Sequence, residues 1–311
     1  MALPGSTHTT YANIGNREDL SDVIYNVAPT DCPFMTSIAR FESNAVLHEW
    51  QIDTLTAAAQ NAVLEGDDAT TDAVTATTRI SNTNQISDKV PRVTGTQLAV
   101  VTAGRDDELS YQIVKKTKEL RRDMENDLLA NNAENTGDST TARISAGVPA
   151  WITTNTSNGS GGSDGSLGNT ARTDGAQRAF SESLLADVVR DVWTSGGDPD
   201  CVMLGAKNKQ AMSAFGGNAT RFKTAEDRKL MASIDLYQSD FGDLEIVPNR
   251  FMRARDVLIL QKNMWGVSYL RPVGLTDLAK TGDSERRQVL VEYCLQSSNE
   301  AASGAVWDTN T

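Results

Sequence analysis

One stretch of the sequence formally matches a catalytic motif. Residues 161–165 (GGSDG) have the G-x-S-x-G spacing that places a nucleophilic serine, here Ser163, on a strand-to-helix turn. That chemistry needs a histidine later in the chain, and the only two histidines, His8 and His48, come before the motif. The five residues also lie inside a Ser/Gly run rather than between a strand and a helix. The match therefore does not predict a hydrolase.

The other residue types that carry chemistry are arranged no better. No G-K-[ST] closes the Gly-rich run, so it does not predict a phosphate-binding loop. Cys32, Cys201 and Cys294 are an odd number at wide spacing and form neither a disulfide framework nor a zinc pattern. The sequence predicts no enzyme, cofactor or metal site, and the cysteines favour a reducing compartment.

The amino-acid composition limits the classes of protein to which the chain can belong. The 311 residues are 39% hydrophobic but only 6% aromatic, which suits a chain with long exposed arms. The formal net charge of -12 repels free nucleic acid and anionic membrane surfaces. The apolar runs are shorter than the ~20 residues that cross a bilayer, and no signal peptide is visible, so we expect a soluble protein made in a cytoplasm.

The first third of the sequence predicts extended segments without a core of their own. Residues 1–45 resemble an arm, with a short amphipathic helix at 17–27. Alternating polar and apolar residues predict strands at 46–55, 79–86 and 93–101, which would form a long projecting β-hairpin. Because isolated hairpins are marginal in water, we expect residues 1–45 and 56–97 to be held mainly by other subunits.

The rest of the sequence predicts a mixture of helices and strands. A long helix is expected at 107–134, with Asp106 as its cap and a length of ~40 Å. The run 155–168 is close to low complexity and predicts a mobile loop or linker. The remaining predicted elements are helix 180–193 with Trp193 on its apolar face, strand Cys201–Leu204, helix 206–215, and short strands within 241–306.

Two groups of opposite charge form a candidate contact. An acidic group lies near the predicted hairpin tip: Glu65, Asp67, Asp68 and Asp72. A basic group lies on the long helix: Lys115, Lys116, Lys118, Arg121 and Arg122. The basic group is equally well explained as a solvated helix face with i,i+4 pairs. Contact with nucleic acid is disfavoured, because no aromatic residues interleave with the basic ones. The third interpretation is that the acidic tip of one subunit docks on the basic helix of a neighbour.

Several motifs resemble one family of tailed-bacteriophage major capsid proteins. They are DLEIVPNRFM (243–252), YLRP (269–272), LAKTGDS (278–284) and a closing strand followed by NEAASG. Earlier in the chain, REDLSDVIYNVAPTDCPFMTSI (17–38) and HEWQIDTL (48–55) also resemble this family. The motifs occur in the family's order and cover nearly the whole chain.

This resemblance implies an α+β tailed-phage capsid fold, shared with encapsulins and the herpesvirus shell floor. It divides the chain into five parts: an N-terminal arm at 1–45, an extended hairpin loop at 46–101, a peripheral domain with spine helix and Gly-rich loop at 102–179, an axial domain at 180–270, and returning peripheral strands with the tail at 271–311. The implied function is a major capsid protein that forms the icosahedral head around double-stranded DNA.

The resemblance also implies partners. Copies would assemble as pentamers and hexamers, with the extended loop lying across a neighbour. A portal protein, a separate scaffolding protein and a decoration protein are further expected partners, and packaged DNA would touch the inner surface non-specifically. The chain would be made in the host cytoplasm and reside in the virion. Two alternatives stay open: an encapsulin-like compartment with protein cargo, and an enzyme on an α/β scaffold.

Overall fold

The computed structural model describes residues 29–68, 71–102, 104, 107–215 and 235–309. The fold of these residues is α+β, as predicted, with two larger sheets, a separate two-stranded hairpin and one long helix. The helix predicted at 17–27 and the cap predicted at Asp106 lie outside the described residues. None of the described helices is long and apolar enough to cross a membrane.

One sheet has five strands and lies beside the long helix. Its members are β1 (Ala39–Glu42), β4 (Gln85–Lys89), β5 (Arg92–Thr94), β11 (Trp265–Asp277) and β12 (Ser284–Ser297). The long strands β11 and β12 form an antiparallel pair that runs from Trp265↔Ser297 to Asp277↔Arg287. β1 joins β11 in parallel, and both β4 and β5 pair with β12. This arrangement brings the N-terminal segment, the hairpin region and the C-terminal strands into one sheet.

The long helix α3 (Glu108–Leu129) packs against β4 and β12. Asp107 caps it by accepting hydrogen bonds from the N–H groups of Leu109 (3.0 Å) and Ser110 (3.2 Å). The predicted helix continues to residue 134, but the observed helix ends five residues earlier and is about 33 Å long. Asn131 explains the early end, because its side chain exchanges hydrogen bonds with the backbone of Arg172.

The other sheet has six strands and is covered by helix α5 (Glu182–Thr194). Its spatial order is β6 (Asn155–Ser157), β13 (Gly304–Val306), β10 (Val257–Leu260), β7 (Cys201–Leu204), β9 (Gly242–Pro248) and β8 (Leu236–Ser239). Leu185, Val188, Val189 and Val192 on α5 are buried against it. Full burial of such side chains stabilises by about 1.5–3 kcal/mol each. Two shorter helices are α4 (Val148–Trp151), which precedes β6, and α6 (Ala206–Ser213), which follows β7.

The hairpin is shorter than the sequence predicts. β2 (Leu47–Ile52) and β3 (Thr78–Thr83) pair from Leu47↔Thr83 to Ile52↔Thr78, and the described residues between them form no strand. The third predicted strand, 93–101, is wrong beyond Thr94. There the chain turns into helix α2 (Gly95–Ala99), because the Thr94 hydroxyl accepts a hydrogen bond from the N–H of Gln97 (3.3 Å) and caps the helix.

Some described parts of the predicted arm and hairpin are packed within their own chain. Phe34, in the short helix α1 (Pro33–Ser37), is fully buried, and β1 adds to the sheet next to it. The segment 78–94 supplies β3, β4 and β5. Packing within the chain thus accounts for these described segments, while contacts between subunits stay a prediction for the exposed loop between β2 and β3.

The Gly-rich run is packed and hydrogen-bonded, so its prediction as a mobile linker is wrong. Its first residues form β6, which pairs with β13 in parallel. The Asp164 carboxylate accepts hydrogen bonds from the Thr156 hydroxyl (2.9 Å) and the Asn158 amide (2.9 Å). Gly168 has a φ of +85° and lies so close to the Trp151 ring that a Cβ would be 2.9 Å from it. Glycine is used here for close packing.

Candidate assembly surface

Among the described residues, no histidine is brought to Ser163 of the formal nucleophile motif. Ser163 forms a backbone bridge with Thr173, in the packed Gly-rich run. His48 lies at the base of the hairpin, with Nε2 2.9 Å from Oε1 of Gln296. His8 is outside the described residues. Ser163 is therefore part of a structural turn, and the partner of His48 is Gln296 rather than Ser163.

The cysteines and the acidic residues that the structure describes form no reactive centre either. All three cysteines are buried, and burial raises the pKa of both Cys201 and Cys294 to about 12. Such thiols stay protonated and are poor nucleophiles at neutral pH. Within the described ranges, no group of three or more His, Cys, Asp or Glu side chains is placed to hold a metal ion.

The loop between β2 and β3, which we call the extended loop (53–77), is exposed along its described length. A turn at Glu65 and Gly66 forms its tip, where the N–H of Asp67 donates to the carbonyl of Leu64 (3.2 Å). The apolar side chains of the loop are open to solvent: Leu64 is 81% exposed and Val74 97% exposed. Another surface that covered these side chains would stabilise the loop, because their apolar area would be removed from water.

The predicted acidic group lies in this loop. Glu65, Asp67, Asp68 and Asp72 are all exposed. Among the described residues, no ion pair joins them to the basic group on α3 of the same chain. The acidic group is therefore available to another molecule.

The predicted basic group is divided between two faces of α3. Lys115, Lys118 and Arg122 line one surface cavity, which Thr30 also borders. Arg121 lines a different cavity, together with Arg40. Lys115, Lys118 and Arg121 are exposed, whereas the remaining two side chains have partners within the chain.

Those partners are Glu119 and Phe251. The ammonium of Lys116 lies 2.7 Å from the Glu119 carboxylate. The guanidinium of Arg122 lies 5.6 Å from the centroid of the Phe251 ring. The groups that remain open to a partner on the first face are Lys115 and Lys118.

A buried ionic network holds the C-terminal tail against the Gly-rich run. The Arg172 side chain is fully buried, with Nη2 2.9 Å from Oδ2 of the equally buried Asp308. Asp308 also accepts hydrogen bonds from the N–H groups of Gly159 (3.1 Å) and Gly175 (3.0 Å), and it pairs with Arg255 (2.9 Å). The Arg172 guanidinium stacks 4.7 Å from the Trp307 ring centroid. The network fixes segments that are far apart in sequence.

The carboxyls of this network respond differently to their surroundings. Burial by itself raises the pKa of Asp308, but Arg172 and the two N–H groups outweigh it and hold the pKa below its ordinary value. For Asp256, burial outweighs the attraction of Arg253 and Arg172 and raises the pKa to about 6. Sequence reasoning missed this network, because no local spacing connects residues 172, 256 and 308.

Glu125 joins three parts of the fold. It is buried near the C-terminal end of α3, and its Oε1 accepts hydrogen bonds from the N–H of Phe34 (2.8 Å) and the amide of Asn249 (2.7 Å). Its Oε2 accepts from the N–H of Met35 (2.9 Å). Burial raises the pKa of Glu125, and these three donors oppose that rise. One carboxylate thus ties α1 and the segment after β9 to the long helix.

This chain is similar to known proteins over nearly its whole length. Residues 4–310 match the family model described as SU10 major capsid protein. The major capsid protein of Escherichia phage Phieco32 is 25% identical over 345 residues, covering 99% of this chain and 98% of that protein.

Solved capsid structures have the same fold. The capsid asymmetric unit of cyanophage A-1(L) aligns with a TM-score of 0.73 at 11% identity, covering 97% of this chain and 99% of that chain. The structure of the major capsid and decoration proteins of phage G aligns with a TM-score of 0.56 at 12% identity, covering 99% of both chains. The family model covers nearly all 311 residues, and the extended loop of this chain is exposed and has no core of its own. The chain belongs to the SU10 major capsid protein family and is a major capsid protein of a tailed phage.

Proposed function

We propose that copies of this chain form the icosahedral head that encloses double-stranded DNA, assembling as pentamers and hexamers. As a capsid protein, the chain is a component of the virion, and its synthesis takes place in the host cytoplasm. The observation that carries the proposal is the extended loop, whose exposed apolar side chains Leu64 and Val74 have no core in their own subunit. A neighbouring copy provides the surface that covers them.

The proposed division of the subunit follows its two sheets. The five-stranded sheet and α3 form the peripheral domain, and the six-stranded sheet with α5 and α6 forms the axial domain. β1 extends the peripheral sheet, and β13 extends the axial sheet. The peripheral domain therefore begins within the 1–45 segment, and the last residues of the 271–311 segment belong with the axial domain.

The acidic tip of the extended loop docks on α3 of the neighbouring subunit. The exposed carboxylates Asp67 and Asp68 fit the exposed ammonium groups of Lys115 and Lys118. Each exposed pair contributes only ~0.2–1 kcal/mol, but the contact repeats at every subunit of the shell. Salt weakens it, because the Debye length falls from about 10 Å at 0.1 M to about 3 Å at 1 M.

A charge swap tests this docking. We expect Asp67→Lys with Asp68→Lys to lower the fraction of protein that sediments as shells, because like charges then face each other across the contact. Adding Lys115→Glu and Lys118→Glu in the same chain is expected to restore part of that fraction. The measurement is sedimentation velocity at low and high salt.

Lys116 provides the control for this experiment. Because Lys116 is already paired with Glu119, combining Lys116→Glu with the tip reversal is expected to restore nothing. Rescue by Lys116→Glu, or no rescue by the Lys115 and Lys118 pair, would show that α3 is only a solvated face. A wild-type chain that stays monomeric in all conditions would overturn the proposed function itself.

Further partners follow from the same proposal. A portal protein occupies one vertex, a separate scaffolding protein guides assembly, and a decoration protein binds the outer surface. Support for the last comes from phage G, whose solved structure contains both major capsid and decoration proteins. The packaged DNA touches the inner surface without sequence preference, which suits the net charge of -12.

A further inference from the structure

Trp193 is exposed where the sequence pattern predicts an apolar helix face. It is 56% exposed, whereas Trp151, Trp265 and Trp307 are fully buried and Trp50 is half-buried. All five tryptophans of the chain are thereby accounted for. A large aromatic side chain held at the surface is typical of an interface, because it has much apolar area and few torsions to restrict.

Trp193 packs against a second aromatic side chain, and the two together form a surface patch. The Trp193 ring centroid lies 5.1 Å from that of Phe241, in the turn between β8 and β9. Phe241 is half-buried and packs against the core of the six-stranded sheet, so it supports the tryptophan ring from one side. We call these two side chains the Trp193–Phe241 patch. Because its geometry exists before any contact, binding restricts few additional torsions.

Acidic side chains border the patch. Asp198, Asp240 and Asp243 are exposed: Asp240 and Asp243 are near Phe241 in the chain, and Oδ1 of Asp198 lies 4.0 Å from where a Cβ on Gly242 would be. Arg190, one helical turn before Trp193, is already paired with Asp187 (2.9 Å) and Asp191 (3.0 Å). The end of the sheet at which β7 and β9 begin is therefore negatively charged.

The opposite end of the same sheet carries exposed positive charge. β7 and β9 run parallel, so both finish at that end. Lys207 follows β7 and Arg250 follows β9, and both side chains are exposed. β8 is antiparallel to β9 and starts at this end after Asp235, whose exposed carboxylate pairs with Lys209 (3.2 Å). Asn208 on α6 donates a hydrogen bond to the carbonyl of Ala254 (3.0 Å), which keeps these two segments adjacent. The six-stranded layer is thus acidic at one end and basic at the other.

We propose that the Trp193–Phe241 patch docks on the basic end of the six-stranded layer of a second copy of this chain. Contact between two identical patches would set acidic rims against each other, which disfavours a two-fold pairing. A head-to-tail contact joins opposite charges and repeats from copy to copy until a ring closes. The proposal rests on the self-assembly proposed above, and it names the anchor residue and the direction of one contact.

The fluorescence of the full-length protein tests the anchor. Because Trp193 is the most exposed tryptophan, we expect acrylamide quenching of the wild-type protein to fall several-fold between unassembled subunits and shells. In the Trp193→Phe variant, which keeps an aromatic ring, the quenching should barely change on assembly. Wild-type shells in which quenching equals that of free subunits would overturn the proposal and leave the shell function intact. If the wild-type chain forms no shells, the shell function fails and this contact fails with it.

A second set of variants tests how much Trp193 contributes to assembly and whether the contact is head-to-tail. Trp193→Ala should raise the concentration needed for assembly roughly tenfold or more, as expected of a hot-spot tryptophan. An unchanged thermal midpoint of the subunit would show that the fold is intact. Asp240→Lys with Asp243→Lys should impair assembly, and adding Lys207→Glu with Arg250→Glu should restore part of it. Failure of this rescue would contradict the head-to-tail direction, and a normal assembly concentration for Trp193→Ala would contradict the anchor.

Discussion

The Asp308→Asn variant is expected to lose about 3–5 kcal/mol of unfolding free energy, the usual cost of removing one partner from a buried ion pair. The substitution leaves the guanidinium of Arg172 fully buried beside a neutral amide. It also replaces a carboxylate oxygen that accepts from Gly159 or Gly175 with an N–H₂ group that can only donate. The tail and the Gly-rich run should separate first.

Urea denaturation of the unassembled subunit measures this loss. Asp277→Asn is the matched control, because Asp277 also pairs with an arginine, Arg287, but its side chain is 71% exposed. The control should change the unfolding free energy by no more than about 0.5–1 kcal/mol. Equal losses in the two variants would show that the buried network does not stabilise the fold.

The pKa of Asp308 adds a test by pH. Because its pKa in the folded chain lies below the ordinary value of 3.8, the stability that it contributes is fully present above that pH and is lost as the pH falls. The difference between wild type and Asp308→Asn should therefore shrink on acidification below about pH 4. The raised pKa of Asp256, at about 6 in the wild-type chain, has the opposite sign and acts between about pH 4 and 6. Because the Asp308 charge is one of the causes of that rise, the variant alters this contribution, and the comparison is made below about pH 4, outside the range in which Asp256 acts.

Glu125→Gln is expected to lower the unfolding free energy by about 2–4 kcal/mol, although the shapes of the two side chains are nearly the same. Each Glu125 oxygen accepts from a buried donor, and a glutamine would turn an N–H₂ group toward the N–H of Met35 or Phe34. Donors facing donors leave both buried groups unpaired. We expect α1 to detach from the long helix.

Hydrogen exchange and urea denaturation together check this variant. The amides of Phe34 and Met35 should exchange faster in Glu125→Gln, while those of β11 and β12 stay protected. Glu119→Gln on the same helix is the control, because Glu119 pairs with Lys116 near the surface and its loss should cost less than about 1 kcal/mol. A Glu125→Gln variant as stable as this control would contradict the role assigned to Glu125.

The elements that the sequence predicts well depend on local patterns. The apolar periodicity of 180–193 predicts α5, and the buried run Cys201–Leu204 predicts β7, within one or two residues. The exception on α5 is Trp193, which has the residue type of a core position but lies at an exposed end. A helical pattern indicates which residues share a face, but not where along that face the covering sheet stops.

Two of the predictions that fail depend on contacts between distant residues. The end of α3 is set by Asn131 bonding to the backbone of Arg172, and the Gly-rich run is ordered by Asp308, more than 130 residues later. No local signal contains these partners. Likewise, charge counting places five basic residues in one group, whereas the helix geometry separates Arg121 from Lys115 and Lys118.

Electron cryo-microscopy of purified particles that contain this chain tests the central claim most directly. The account predicts closed icosahedral shells of pentamers and hexamers that hold nuclease-resistant double-stranded DNA. In these shells the extended loop should lie on the α3 face of a neighbouring subunit. Shells filled with a protein cargo instead of DNA, or discrete monomers with no shell at any concentration, would contradict the account.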